Sequence, residues 1–133
     1  FMFEQCQLEN VRFLGNLNKE EFNILTRVSD VGLVSLDSRF TIPNFPSRLL
    51  AYLSSSIPVL CLVDRVTDIG KIAEKHGFGC TALHGDLLGC YDAMTRLVDN
   101  PQLSILGKKG LDYLLSNFST KSSYNLIVKA LDH

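Results

Sequence analysis

The run Pro58-Val-Leu-Cys-Leu-Val63 limits the fold of this chain more than any other stretch. It shows no alternation of apolar and polar residues, so it cannot be a strand with one wet face. It reads as a strand covered by helices on both sides, and such strands belong to parallel sheets. Extended back to Ile57, it is still far too short to cross a bilayer.

The flanking sequence supplies those helices. Asn18-Lys-Glu-Glu21 is a capping-box pattern, and the helix it opens presents Phe22, Leu25 and Val28 at helical spacing, ending near Ser29-Asp30. Val31–Leu36 is the next strand. A loop follows, and a short helix begins near Pro46-Ser47-Arg48. After the central strand, Ile69, Ile72, Ala73 and His76 mark one helical face, with Gly77 as its C-terminal stop. Phe78–Ala82 is a further strand. Helices are expected over 86–99, burying Leu87, Leu88, Tyr91, Met94, Leu97 and Val98, over 102–117, and over 119–131, where Tyr124, Ile127, Val128 and Leu131 share a face. At the other end, Phe1–Leu8 reads as the last turns of a helix and Val11–Leu14 as a short strand ending at Gly15. Strands separated by helices imply crossovers and a three-layer, Rossmann-like α/β sheet. With 133 residues the chain suits a single domain, 1–133.

Thirteen basic and 14 acidic side chains give a net charge of −1, without the basic excess of a nucleic-acid binder. Cys6, Cys61, Cys80 and Cys90 form no C-x-x-C pair. They read as free thiols in a cytoplasmic setting rather than as metal ligands. No residue cluster calls for a metal or a resident cofactor.

Chemistry concentrates where the loop after Val31–Leu36 feeds the helix at Ser47. In a parallel sheet this is where helix N-termini meet anionic ligands. Pro46 and Ser47 alone specify only a helix start. Arg48 is different, because a cation in the first turn opposes the helix dipole, and a bound anion removes that conflict. Asn44, Phe45 and Leu49 belong to the same segment. Gly15 and Asn16 read either as a turn or as a place where a nucleobase approaches the backbone. Asp37 reads as a solvated loop carboxylate, or as a partner for a sugar hydroxyl. His76 reads as a favourable cation at a helix C-terminus.

Several short segments together resemble the C-terminal, donor-binding half of GT-B retaining glycosyltransferases of family four. They are Val11-Arg-Phe-Leu-Gly15, Ser29-Asp-Val-Gly-Leu33, Asn44-Phe-Pro-Ser-Arg-Leu-Leu50, Tyr52-Leu53, Ile57-Pro-Val-Leu60, Gly85-Asp86 and Asn117-Phe-Ser119. The resemblance implies a parent enzyme that transfers a sugar from a nucleotide-diphosphate donor, in surface polysaccharide biosynthesis. It implies a separate N-terminal acceptor domain, through which the parent would associate with the inner face of the membrane. It places the donor at Gly15, Asn16, Asn44, Phe45, Pro46, Ser47, Arg48 and Leu49. It also implies an earlier strand and helix ahead of Phe1, so that this fragment alone should bind without turnover. Two positions depart from the pattern. Ala51 stands where the family has a ribose-binding Glu, with Pro43 at its acidic partner position. Ser56 stands where a Gly usually ends the helix; if it is left-handed, the strain is roughly 1 kcal/mol. Other readings remain open at this point: a non-catalytic α/β interaction module, a receiver-like domain with Asp37 as phosphoacceptor, or a nucleotide-sugar epimerase.

Overall fold

The computed structural model describes residues 8–37, 39, 41, 42 and 45–131, apart from the side chains of 120–123, 125 and 126. The helical turns expected over Phe1–Leu8 fall almost wholly outside these residues, as do Asn44 and Pro43.

The described elements alternate as the sequence implies: α1 (Lys19–Val28), β1 (Gly32–Ser35), α2 (Ser47–Ser54), β2 (Val59–Val63), α3 (Ile69–His76), β3 (Gly79–Leu83), α4 (Leu87–Val98), α5 (Leu103–Asn117) and α6 (Thr120–Leu131). The three strands form one parallel sheet in the order β1-β2-β3. Gly32 pairs with Val59, and Val59 with Gly79. The central strand is buried on both faces, as its unbroken apolar run requires.

One face of the sheet is closed by α2 and α3: Val34, Val59, Cys61 and Val63 meet Leu49, Leu53, Ile69 and Ala73. Phe78, at the head of β3, joins this cluster, and Tyr113 and Leu114 of α5 pack against it. The other face is closed by α4, whose Ala93 and Leu97 sit on Leu60. This is a three-layer, Rossmann-like α/β arrangement. Two glycines permit close approach: an added Cβ at Gly32 would lie 2.5 Å from the Tyr52 ring, and one at Gly107 only 1.8 Å from the Ser56 carbonyl oxygen.

The local signals hold. Asn18 accepts from the Glu21 N–H while the Glu21 carboxylate accepts from the Asn18 N–H, both at 2.9 Å, so the capping box closes. Gly77 ends α3 at φ +69. Ser56 is left-handed, at φ +57, so the strain foreseen for a non-glycine there is present.

Three expectations require correction. First, Val11–Leu14 is irregular and exposed, with Phe13 81% accessible. A strand needs a neighbour for its ladder, and the segment pairs with none of the three described strands. Second, α1 buries Thr26 rather than a Phe22, Leu25 and Val28 stripe, and Val28 is 73% accessible. Third, α4 does not bury its full apolar face. Leu97 is buried, but Leu87 and Leu88 are each 83% accessible, and Tyr91, Met94 and Val98 are exposed. Arg96, on one flank of α4, reaches Glu74 of α3 at 3.6 Å around the β3 edge. Successive residues turn by about 100°, so Leu87, Met94 and Val98 lie on the flank of α4 opposite Arg96, away from the β3 edge. The sheet is itself open at β1, with Leu33 half exposed. The apolar face of α6 is likewise exposed, at Tyr124, Ile127, Val128 and Leu131.

Candidate functional site

The site is built by the anchoring of α2. Leu49 and Leu53 sink into the core, 1% and 0% accessible. The Tyr52 ring lies against Gly32, and its hydroxyl donates to the Leu33 carbonyl at 3.3 Å. Burial pushes the Tyr52 phenol up, while Arg48 pulls it slightly down. These contacts fix the first turn of α2 at the carboxyl end of β1.

That turn is open to an anion. Pro46 is the N-cap and makes no side-chain cap bond, and there is no acidic residue in the first turn. Leu49 N–H donates to the Pro46 carbonyl at 3.0 Å. The N–H groups of Ser47 and Arg48 find no acceptor among the described residues. In front of them lies a cavity of about 410 Å³, lined by Val34, Ser35, Leu36, Phe45, Pro46, Ser47 and Arg48. That volume is within the range of small-molecule sites.

The structure therefore brings together Phe45, Pro46, Ser47 and Arg48. Leu49 is adjacent but serves the core, not the crevice. Gly15, at φ +70, and Asn16 are exposed and do not line this cavity. Ala51 is half-buried, in the same helix. The strand end at Leu14, expected beside the crevice, is not part of the described sheet, which contains no reversal of strand order.

Two carboxylates stand on the same edge, and both are engaged. Asp37 accepts from the Arg39 N–H and Nε at 2.9 Å each, and pairs with Nη2 as well. These bonds hold its carboxyl well below the usual range. Asp64, at the end of β2, is buried; it accepts from the Thr67 hydroxyl at 2.7 Å and from the Val66 and Thr67 N–H groups at 2.8 Å. Its pKa is lowered, chiefly by the Thr67 hydroxyl and against the effect of burial. A second cavity of about 310 Å³ opens beside it, with Arg65 and Lys71 in its lining. Arg48, Arg65 and Lys71 form no ion pair among the described residues.

Sequence reasoning missed two features. Asp64 closing the loop through Thr67 was signalled only by an Asp-x-x-Thr turn pattern. Phe118 was noted only as a motif letter, yet its ring lies 5.1 Å from that of Phe45. His76 stacks on Tyr113, with centroids 4.6 Å apart, away from the crevice. His84 follows β3; its N–H donates to the Val63 carbonyl at 2.9 Å, and its Nδ1 has no partner among the described residues. Cys61 is free and buried, with its thiol pushed up to about 12 by burial. Among the described residues, no group of three or more His, Cys, Asp or Glu gathers as a metal site. No helix among them is long and apolar enough to cross a membrane.

The fold and the edge define a class: a Rossmann-like α/β domain with a cation-bearing crevice at the carboxyl end of its sheet. No family model, curated protein or solved structure matches the chain.

Proposed function

We propose that this chain is the donor-binding half of a sugar transferase of the GT-B retaining type, and that the start of α2 seats the diphosphate of a nucleotide-sugar. One observation carries the reading. A helix N-terminus with two N–H groups lacking described acceptors, and a cation where the dipole disfavours one, faces a cavity of about 410 Å³. The motif resemblance supports the choice of a diphosphate ligand, and it extends to a parent enzyme with a separate acceptor domain that works at the cytoplasmic face of the membrane. The Arg39 pairing of Asp37 leaves the receiver-like alternative without a free carboxylate at that loop.

Calorimetric titration of the chain with uridine and guanosine diphosphates tests the proposal. Binding of at least one is expected, and an Arg48→Ala variant should bind several-fold more weakly, as loss of a charge-assisted contact implies. Failure of both diphosphates to bind, or equal affinity in the variant, would refute the reading.

A further inference from the structure

Phe118 caps the C-terminus of α5, remote in sequence from the crevice. Its ring meets Phe45 at 5.1 Å on one side and the edge of Tyr113 at 6.1 Å on the other. Tyr113 in turn lies 5.2 Å from Phe78, which is fully buried. A line of four rings thus runs from the core to the mouth of the cavity. Phe45 stands directly before Pro46, whose ring-restricted φ of −66 transmits its placement to Ser47 and Arg48. Beyond β1, the hydrogen bonds of the described loop residues 37, 39, 41, 42 and 45 are local, between Asp37 and Arg39. The contact of Phe118 with Phe45 therefore joins the last described residue of this loop to the C-terminus of α5.

We propose that Phe118 is a positioning residue for the crevice. It touches no ligand. It fixes Phe45, and through Phe45 it holds the N–H groups of Ser47 and Arg48 where an anion meets them without reordering the loop. Aromatic pairs of this geometry contribute enough to shift a coupled binding constant by about fivefold. The ligand arm of the inference rests on the diphosphate reading; the positional arm does not.

The test uses the chain with Phe118→Ala, Phe118→Tyr, Phe45→Ala and the double alanine variant. With uridine diphosphate as probe, Phe118→Ala should weaken binding about fivefold, and Phe118→Tyr should restore it. Adding Phe118→Ala to Phe45→Ala should cause no further loss, since the two act as one unit. Independently of ligand, exchange of the Leu49 amide, which donates to the Pro46 carbonyl, should quicken in Phe118→Ala, while the β2 amides Val59–Val63 stay protected. Additive losses in the double variant would overturn the inference. So would exchange that quickens equally at Leu49 and in the sheet. If the unmodified chain binds no uridine diphosphate, the exchange measurement alone decides the role of Phe118.

Discussion

Replacing Gly107 by alanine sets two well-defined effects against each other. Gly107 lies inside α5, where helix propensity favours alanine by about 1 kcal/mol. Yet the added Cβ would stand 1.8 Å from the Ser56 carbonyl oxygen and 2.6 Å from its carbon, where ordinary contact begins at 3.4 Å. The helix or the turn must move by the difference, about 1.6 Å. The obstacle is backbone, and that backbone is already strained at φ +57, so it has little room to give. Overpacking of this kind costs about 1–3 kcal/mol and sometimes more. The steric effect therefore wins, with a net loss of about 1 kcal/mol once the propensity gain is set against it, and a fall in Tm of roughly 4 °C for a domain this size. Urea and thermal unfolding followed by circular dichroism measure both. Gly110→Ala is the control: its new Cβ meets the movable end of Leu53 at 2.8 Å, so its loss should be smaller. A Gly107→Ala protein more stable than the natural chain, as propensity alone predicts, or equally stable, would refute the seating of α5 against the turn after α2.

Ser56→Gly should raise stability by about 1 kcal/mol, because a left-handed residue is relieved of its Cβ; an unchanged or lower Tm would count against the φ of +57. Leu97→Ala should cost about 2–4 kcal/mol, whereas Leu88→Ala, at 83% accessibility, should stay within about 0.5 kcal/mol; similar losses at both sites by denaturant melts would show that α4 packs differently. Asp64 has a folded pKa below its ordinary 3.8, so its contribution is full above the unfolded value and fades as pH falls through the lowered one. Thr67→Val removes the largest cause of that depression, so the acid-unfolding midpoint should move to higher pH; an unmoved midpoint refutes the role given to the Thr67 hydroxyl.

What was legible in the sequence follows from where each signal originates. The burial of β2, the Asn18–Glu21 capping box, the αL stop at Gly77 and the strain at Ser56 depend on residues close together in the chain, and local patterns report them. Val11–Leu14 has the composition of a strand, but a strand exists only with a partner, and composition does not supply one. On α4, helical spacing correctly identified an apolar face, yet spacing cannot tell whether a second layer covers it. The crevice divides the same way. Pro46, Ser47 and Arg48 announce themselves by dipole and capping logic, whereas the Phe118 contact on Phe45 joins distant segments that only the fold brings together.

The charge pattern of the carboxyl edge separates holding a ligand from transforming one. Asp37 is taken up by Arg39, and Asp64 by its own loop, so both carboxylates are locked as ionised hydrogen-bond acceptors. Depressed pKa values suit them to neither proton donation nor proton abstraction near neutral pH. Arg48, Arg65 and Lys71, by contrast, carry no ion pair among the described residues, and Arg48 stands at a helix start where its charge is costly without an anion. Ala51 places no carboxylate against a ribose in the same helix. Under the proposed function, this edge would hold the diphosphate, including one that departs with negative charge. In the proposed parent, the proton and nucleophile chemistry would come from groups across the crevice. The chain alone should then bind uridine or guanosine diphosphate in calorimetry without hydrolysing or transferring a sugar from the corresponding donor. Release of free sugar by the isolated chain would show that one of these carboxylates has a catalytic role after all.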